Sequence, residues 1–262
     1  MPQYVVQYKN KAGKMIDIPL VAEAMPYTNN TPVPSKIGGI EKGTVFSNKK
    51  ISEVLDMLLY PYVEPTISAS AMPNSRTVET GSTVELTNVY VNITLGSMTI
   101  HHIEVYSSIG GLLGTVGGIE IGAGTTTVPV TRSITNNEII TVKVYDEKGT
   151  AVTATAAVYT FVSPYYYGVI GASDTINSST VTSLTKDIKT KGTKSYTYNM
   201  SKQRAVIAYP SSYGQIKKIL DINSFDVTDT FDREVITINS VEYYVYVLSN
   251  PATSNMTYAF SY

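Results

Sequence analysis

One segment restricts the architectures open to this chain more than any other. It runs from Pro34 to Tyr62, PSKIGGIEKGTVFSNKKISEVLDMLLYPY, where helical spacing interrupts a sequence otherwise patterned for strands. Ile51, Val54, Leu55, Leu58 and Leu59 recur at three- and four-residue steps, which places them on one face of a short helix. Asn48 or Ser47 is positioned to cap its start and Pro61 cannot continue it, so the spacing predicts a helix over 48–60. The Gly38-Gly39-Ile40-Glu41-Lys42-Gly43 stretch ahead of it reads as a Gly-rich turn. It is no phosphate loop, because no strand–turn–helix pattern with Lys-Ser/Thr follows. Isolated helices in water need about 12–15 residues to hold. The leucine face must therefore rest on something, either the following domain or another subunit.

The remainder divides around that segment. YVVQY at 4–8 and MIDIPL at 15–20 can each make a short strand joined by a turn at Asn10–Lys14. Three prolines between 26 and 34 then predict extended chain without a sheet of its own. Val33, Ile37, Ile40, Val45 and Phe46 make this front part more apolar than a solvated linker, which suggests an arm ordered by a partner. From 65 to 163, Val84 and Leu86 point one way; the phase then slips at Thr87-Asn88, and Val89, Val91, Ile93 and Leu95 carry on. Such a slip marks a bulge or a strand switching sheets. Further strands are predicted at 100–106, 126–131, 138–145 and 151–162, a spacing that suggests an Ig-like sandwich. From 164 to 262, strand patterns fall at Tyr196–Met200, Val206–Tyr209, Glu234–Ile238, Val241–Leu248 and Met256–Tyr262, with a turn at Asn239-Ser240. The expected fold is mainly β: an N-terminal extended arm with one short helix over 1–64, an Ig-like β-sandwich over 65–163, and a second sandwich-like β domain over 164–262.

Composition sets limits on chemistry. With no Cys and two His in 262 residues, disulfides, Cys-ligated metals and Cys-His catalytic pairs are excluded, and stability must come from packing and from oligomerisation. A net charge of −1 supplies no electrostatic reason to bind nucleic acid. The sequence has no apolar run near 18 residues for membrane insertion and no signal-peptide pattern at its start, so assembly in the cytoplasm is expected.

K-I-G-G-I-x-x-G-T-x-F from Lys36 to Phe46, followed by I-S-E-x-L-D-x-L-L-Y-P-Y from Ile51 to Tyr62, resembles a module of virion structural proteins of tailed bacteriophages. The likeness is to appendage and head-fibre proteins of crAss-like phages. AYPSSYGQIKKILDINSFDVT from Ala208 to Thr228 and the closing Y-x-V-Y-V-L-S-N-P-A-T block resemble a small β domain of such proteins. Together these stretches cover under half the chain. The resemblance implies a head fibre anchored to the capsid, or else a tail or neck accessory protein, and it implies a homotrimer and other virion proteins as partners. Ile37, Ile40, Phe46, Ile51, Val54, Leu55, Leu58 and Leu59 are the expected anchoring residues.

The candidates for chemistry are few. His101 and His102 are adjacent on a predicted strand, so strict alternation sends their rings to opposite faces and denies them a shared metal, although a trimer axis could gather His101 from three chains. Asp221, Asn223, Asp226, Asp229 and Asp232 lack the order of an EF-hand and read as turn chemistry. The run Gly110–Gly118 reads as a flexible hairpin loop whose Leu112, Leu113, Val116 and Ile119 touch a neighbouring subunit. Tyr165, Tyr166 and Tyr167 join the two β blocks and either pack that junction or offer ring faces to host-surface glycans. No nucleophile elbow, Walker loop or dinucleotide fingerprint occurs, and a structural role is expected rather than an enzyme. No cofactor and no metal ligand set is assigned.

Overall fold

The computed structural model describes residues 6–9, 11–18 and 26–262. Alternation in the front part closes two small ladders. Strand β1 (Val6–Lys9) pairs antiparallel with β2 (Met15–Ile18), Val6 opposite Ile18 and Lys9 opposite Met15. Of the expected strands, Tyr4, Val5, Pro19 and Leu20, with Asn10 of the turn, lie outside the described residues. The proline-rich stretch differs from expectation, because β3 (Pro26–Tyr27) pairs with β4 (Lys49–Lys50). Proline is compatible with a ladder at the first residue of an edge strand, and Pro26 occupies that place. Helix α1 (Ile51–Leu59) leaves directly from β4, so its N-cap is Lys50 with extended backbone and no side-chain cap. Asn48 instead sits at φ 54° and its backbone N–H donates to Thr28 Oγ1 at 3.0 Å. The expected Asn48 or Ser47 cap is thus corrected: the turn into β4 uses those residues first.

Eight strands follow as an Ig-like sandwich: β5 (Thr66–Met72), β6 (Arg76–Glu79), β7 (Val84–Thr94), β8 (Ile100–Ser107), β9 (Gly111–Ile121), β10 (Gly124–Ile134), β11 (Glu138–Asp146) and β12 (Ala151–Val162). One sheet has the order β10-β7-β5 and the other β6-β12-β11-β8-β9. The chain changes sheets between β5 and β6, and β6 runs parallel to β12. Val89, Val91, Ile103, Val105, Val128, Val142 and Val144 fill the space between the sheets at or near zero exposure. Each such side chain contributes about 1.5–3 kcal/mol of burial free energy. The phase slip read at Thr87-Asn88 is real. Leu86 and Val89 are both buried, and the β7–β10 register shifts opposite it, between Pro129 and Arg132.

The Gly110–Gly118 run is not a projecting loop. It is most of β9, paired antiparallel with β8 from Ile121 to Gly111. Its glycines are packing devices: a Cβ on Gly114 would come within 3.0 Å of Pro129 O and Val130 Cγ1, and one on Gly117 within 2.9 Å of His102 Cβ. Leu113 and Val116 pack on the core, and Leu112 alone of the three described apolar residues is exposed.

After Ser163-Pro164 come β13 (Tyr165–Gly171), α2 (Ser178–Thr182), β14 (Thr185–Asp187), β15 (Lys194–Tyr198), β16 (Gln203–Pro210), β17 (Lys218–Leu220), β18 (Phe231–Ile238), β19 (Val241–Leu248) and β20 (Met256–Ser261). They form the sheets β14-β13-β16-β19-β18 and β15-β20-β17. Asn239 and Ser240 both have positive φ, the backbone a two-residue hairpin needs to match strand twist. Between these sheets the core is aromatic: Tyr165, Tyr196, Tyr198, Tyr209, Tyr258 and Phe260 among others. The opposite face of β13, β16 and β19 is buried as well, with Val181 of α2 and Tyr166, Val206 and Val245.

A buried ion pair fastens two turns of the first sandwich. The Glu138 carboxylate is fully enclosed; it accepts from Arg132 Nε at 3.1 Å and Nη2 at 3.2 Å, and from Ser107 Oγ. Ser107 Oγ in turn accepts the backbone N–H of Gly110 at 2.7 Å. Glu138→Ala would leave the guanidinium and the hydroxyl without their shared acceptor. Urea unfolding should show a loss of about 1.5–3 kcal/mol, the range for hydrogen bonds to a charged group, since water reaches the partly exposed Arg132 left behind.

Candidate functional site

The arm makes a framework that holds α1 up rather than burying it. Asn29 stitches it: its backbone N–H donates to Phe46 O at 3.1 Å, its side-chain oxygen accepts from Phe46 N, and its amide donates to Thr31 O at 2.8 Å. Val33 N donates to Thr44 O at 3.0 Å and Gly43 N to Val33 O at 2.7 Å. Gly39 N donates to Met57 O at 2.7 Å, so the Gly turn lies directly on the helix backbone. Side chains are impossible there, since a Cβ on Gly38 would meet Leu58 O at 2.3 Å and one on Gly39 Met57 O at 2.6 Å.

Of the expected anchoring residues, the structure divides two from six. Ile40 and Phe46 are buried inside the arm itself, Ile40 through its bridge to Ile37 and Phe46 against the Tyr27 ring at 5.9 Å. Both belong to the arm's own framework rather than to its exposed surface. Ile51, Val54 and Leu58 are half-buried, and Ile37, Leu55 and Leu59 are exposed, Leu59 at 66%. No residue of α1 is buried. Tyr60 and Val63, exposed at 76% and 57%, follow the helix in the chain. Helical periodicity did not point to these two because they lie beyond the helix end.

Contacts at Tyr62 and at Val63 fasten this arm to the sandwich. Tyr62 OH donates to the Asp146 carboxylate, which also accepts the backbone N–H of Lys148 at 3.0 Å and of Thr150 at 2.9 Å. Lys148 Nζ stands 3.9 Å over the Tyr62 ring. Val63 and Ser97 exchange hydrogen bonds of 2.8 and 2.9 Å, and a Cβ on Gly96 would strike Val63 O at 2.0 Å. Burial by itself would raise the Asp146 pKa, but the bonds from Tyr62, Thr150 and Lys148 outweigh it and hold the carboxyl below its ordinary value. Burial, and next the Asp146 bond, push the Tyr62 phenol up.

The other candidates resolve as follows. Tyr165 and Tyr166 are buried, and Tyr167 lies flat on Tyr196 with centroids 3.9 Å apart. Tyr165 packs on Tyr209 and Tyr213, and Tyr166 on Tyr243. Tyr165 and Tyr166 thus have no ring face open to a sugar, because the aromatic core closes over them. Lys186, 6.0 Å above the Tyr166 ring, bridges to Glu79 of the first sandwich at 2.8 Å, so this stretch stands at the junction of the two β units. Asp221 Oδ1 accepts from Asn223 N and Phe225 N, and Asp226 Oδ1 from Thr228 N, which is turn chemistry. His101 and His102 do not diverge; their Nδ1 atoms are 2.6 Å apart. Among the described residues no three His, Cys, Asp or Glu side chains gather to hold a metal, and no helix is long and apolar enough to cross a membrane.

No known family profile and no curated protein matches the chain. Among solved structures, a crystal structure of chicken TCR is similar at 10% identity over 70% of this chain and 87% of that one, with a TM-score of 0.26. A likeness at that score carries no argument.

The Tyr62–Asp146 tie has a defined pH signature. The folded Asp146 pKa lies below its unfolded value of about 3.9. The carboxylate's contribution is therefore complete above that value and is lost as pH falls through the lowered folded pKa. Tyr62→Phe should lower thermal stability by about 1–3 kcal/mol at pH 7, as for a hydrogen bond to a charged group. The difference between wild type and variant should shrink toward zero near pH 2, read by scanning calorimetry at both values.

Proposed function

We infer that this chain is a virion structural protein of a tailed bacteriophage: a fibre-like appendage docked to the head by its N-terminal arm, with no catalytic role. One observation carries the inference. Helix α1 buries none of its residues and leaves Leu55 and Leu59 exposed, while backbone hydrogen bonds of the arm, among them Gly39 N to Met57 O, hold it in place. An exposed apolar surface rimmed by polar groups is what a docking element presents before it meets its partner. The resemblance of the Lys36–Phe46 and Ile51–Tyr62 blocks to phage appendage proteins supports the same reading. Beyond the arm, two β units follow in tandem, joined by Ser163-Pro164 and braced by the Lys186–Glu79 pair.

Under this proposal the protein assembles as a homotrimer in the host cytoplasm and takes its place in the virion through α1. Replacing Leu55 and Leu59 with Glu removes the apolar face without touching either sandwich. Circular dichroism of that variant should match wild type, while its amount in purified particles should fall at least tenfold. Parental amounts in the particles would overturn the docking role. Sedimentation velocity at micromolar concentration is expected to show a trimer, and a folded monomer alone would remove the threefold assembly.

A further inference from the structure

A bulge in β8 sets two imidazoles side by side on the outer face of the five-stranded sheet. Against β11, Ile100 pairs with Asp146 and His102 with Tyr145, so His101 is the extra residue. Ile100 and Ile103 are both buried, whereas His101 is exposed and His102 half-buried. The rings meet edge to face, with Nδ1 of one 2.6 Å from Nδ1 of the other. In the free protein one ring donates its Nδ1–H to the other. Each imidazole can carry its proton on Nε2 instead, and with both protons there the two neighbouring Nδ1 atoms each have a lone pair free to ligate.

His102 is held for that arrangement. Its ring stacks on Tyr145, with centroids 4.3 Å apart and planes 10° from parallel. Its Nε2 faces Glu104 Oε1 at 3.8 Å, and Tyr106 OH donates to Glu104 Oε2 at 2.8 Å. At 3.8 Å the contact is not a hydrogen bond; drawn closer when a metal binds, this carboxylate becomes the outer-shell partner usual for a ligating histidine, one that fixes its tautomer.

We propose that His101 and His102 chelate a first-row divalent transition ion through their two Nδ1 atoms, with Glu104 as a positioning residue for His102. Metal–nitrogen bonds of about 2.0–2.1 Å set the two nitrogens roughly 3 Å apart. The rings therefore open by a few tenths of an ångström, which the exposed His101 permits. On binding, the donor ring moves its proton from Nδ1 to Nε2 through solvent, so no net proton is released. Water fills the remaining positions, and the carboxylates of Glu120 and Glu147 line the same recess as His101. Imidazole ligands and the general order of divalent affinities favour copper(II). This site is independent of the docking role of the arm.

The composition makes the test sharp, since the chain holds two His and no Cys and has no other imidazole or thiolate to offer. The full chain is titrated with copper(II) in a non-coordinating buffer at neutral pH, followed by calorimetry and by electron paramagnetic resonance. One copper per chain is expected, with hyperfine structure from two imidazole nitrogens. His101→Ala and His102→Ala should each weaken binding at least tenfold. Glu104→Gln should weaken it about tenfold while keeping the two-nitrogen spectrum. A wild-type spectrum showing one imidazole nitrogen or none would overturn the proposal, and so would wild-type affinity in either histidine variant.

Discussion

The side chain of Asp146 is the point on which the front half of the molecule turns. It sits at the end of β11, buried, and is paired three ways: with Tyr62 of the arm and with the backbone N–H groups of Lys148 and Thr150. An unpaired carboxylate at that depth would be strongly disfavoured, so the turn after β11 and the chain entering the sandwich must both close on it. The same residue stands where β8 gains its extra histidine, because Asp146 pairs with Ile100 while Tyr145 pairs with His102. The arm's attachment and the histidine pair thus meet at one strand end, where Asp146 and Tyr145 are neighbours.

How much of this was legible in the sequence depends on whether a local rule governs the residue. Strands β7, β8, β10, β11 and β12 of the first unit, β15, β16, β18, β19 and β20 of the second, the slip at Thr87-Asn88 and the turn at Asn239-Ser240 follow from alternation and turn chemistry; β5, β6, β9, β13, β14 and β17 are strands that alternation does not reveal. The histidines were misread because alternation was assumed to hold through His101; two residues opposite one cannot be seen without the partner strand. Gly110–Gly118 was misread for a related reason. Glycine in a strand signals either looseness or close approach, and only the neighbouring Pro129, Val130 and His102 decide which. Tyr62 carried no periodic signal at all, since its partner lies far along the chain.

The tyrosines show a second limit. A Tyr-rich chain without Trp suggests wet interfaces, yet the rings at 165, 196, 198, 209, 243 and 258 are buried. Some of their hydroxyls find partners, as Tyr209 OH donates to Gly214 O and accepts from Ile216 N, and Tyr196 OH donates to Asp187, whereas the hydroxyls of Tyr165 and Tyr198 are enclosed without one. Burial raises the pKa values of these phenols, which keeps them neutral donors at any physiological pH. Large rings let a unit with few residues between its sheets fill the space that several aliphatic side chains would otherwise occupy.

Helix α1 combines two weaknesses that answer each other. Nine residues with no side-chain cap and no buried member gain little from their own hydrogen bonds. Leu55 is 45% and Leu59 66% exposed, so enclosing what remains would yield roughly 1–2 kcal/mol each. The Gly38-Gly39 turn, pressed onto the helix backbone, restricts it to one orientation without covering that face. A partner that buries the leucines therefore meets a helix already aimed, so little of the binding energy is lost to ordering. The framework residues Ile40 and Phe46 serve this end: sealed inside the arm, they help hold the exposed leucines as an organised surface.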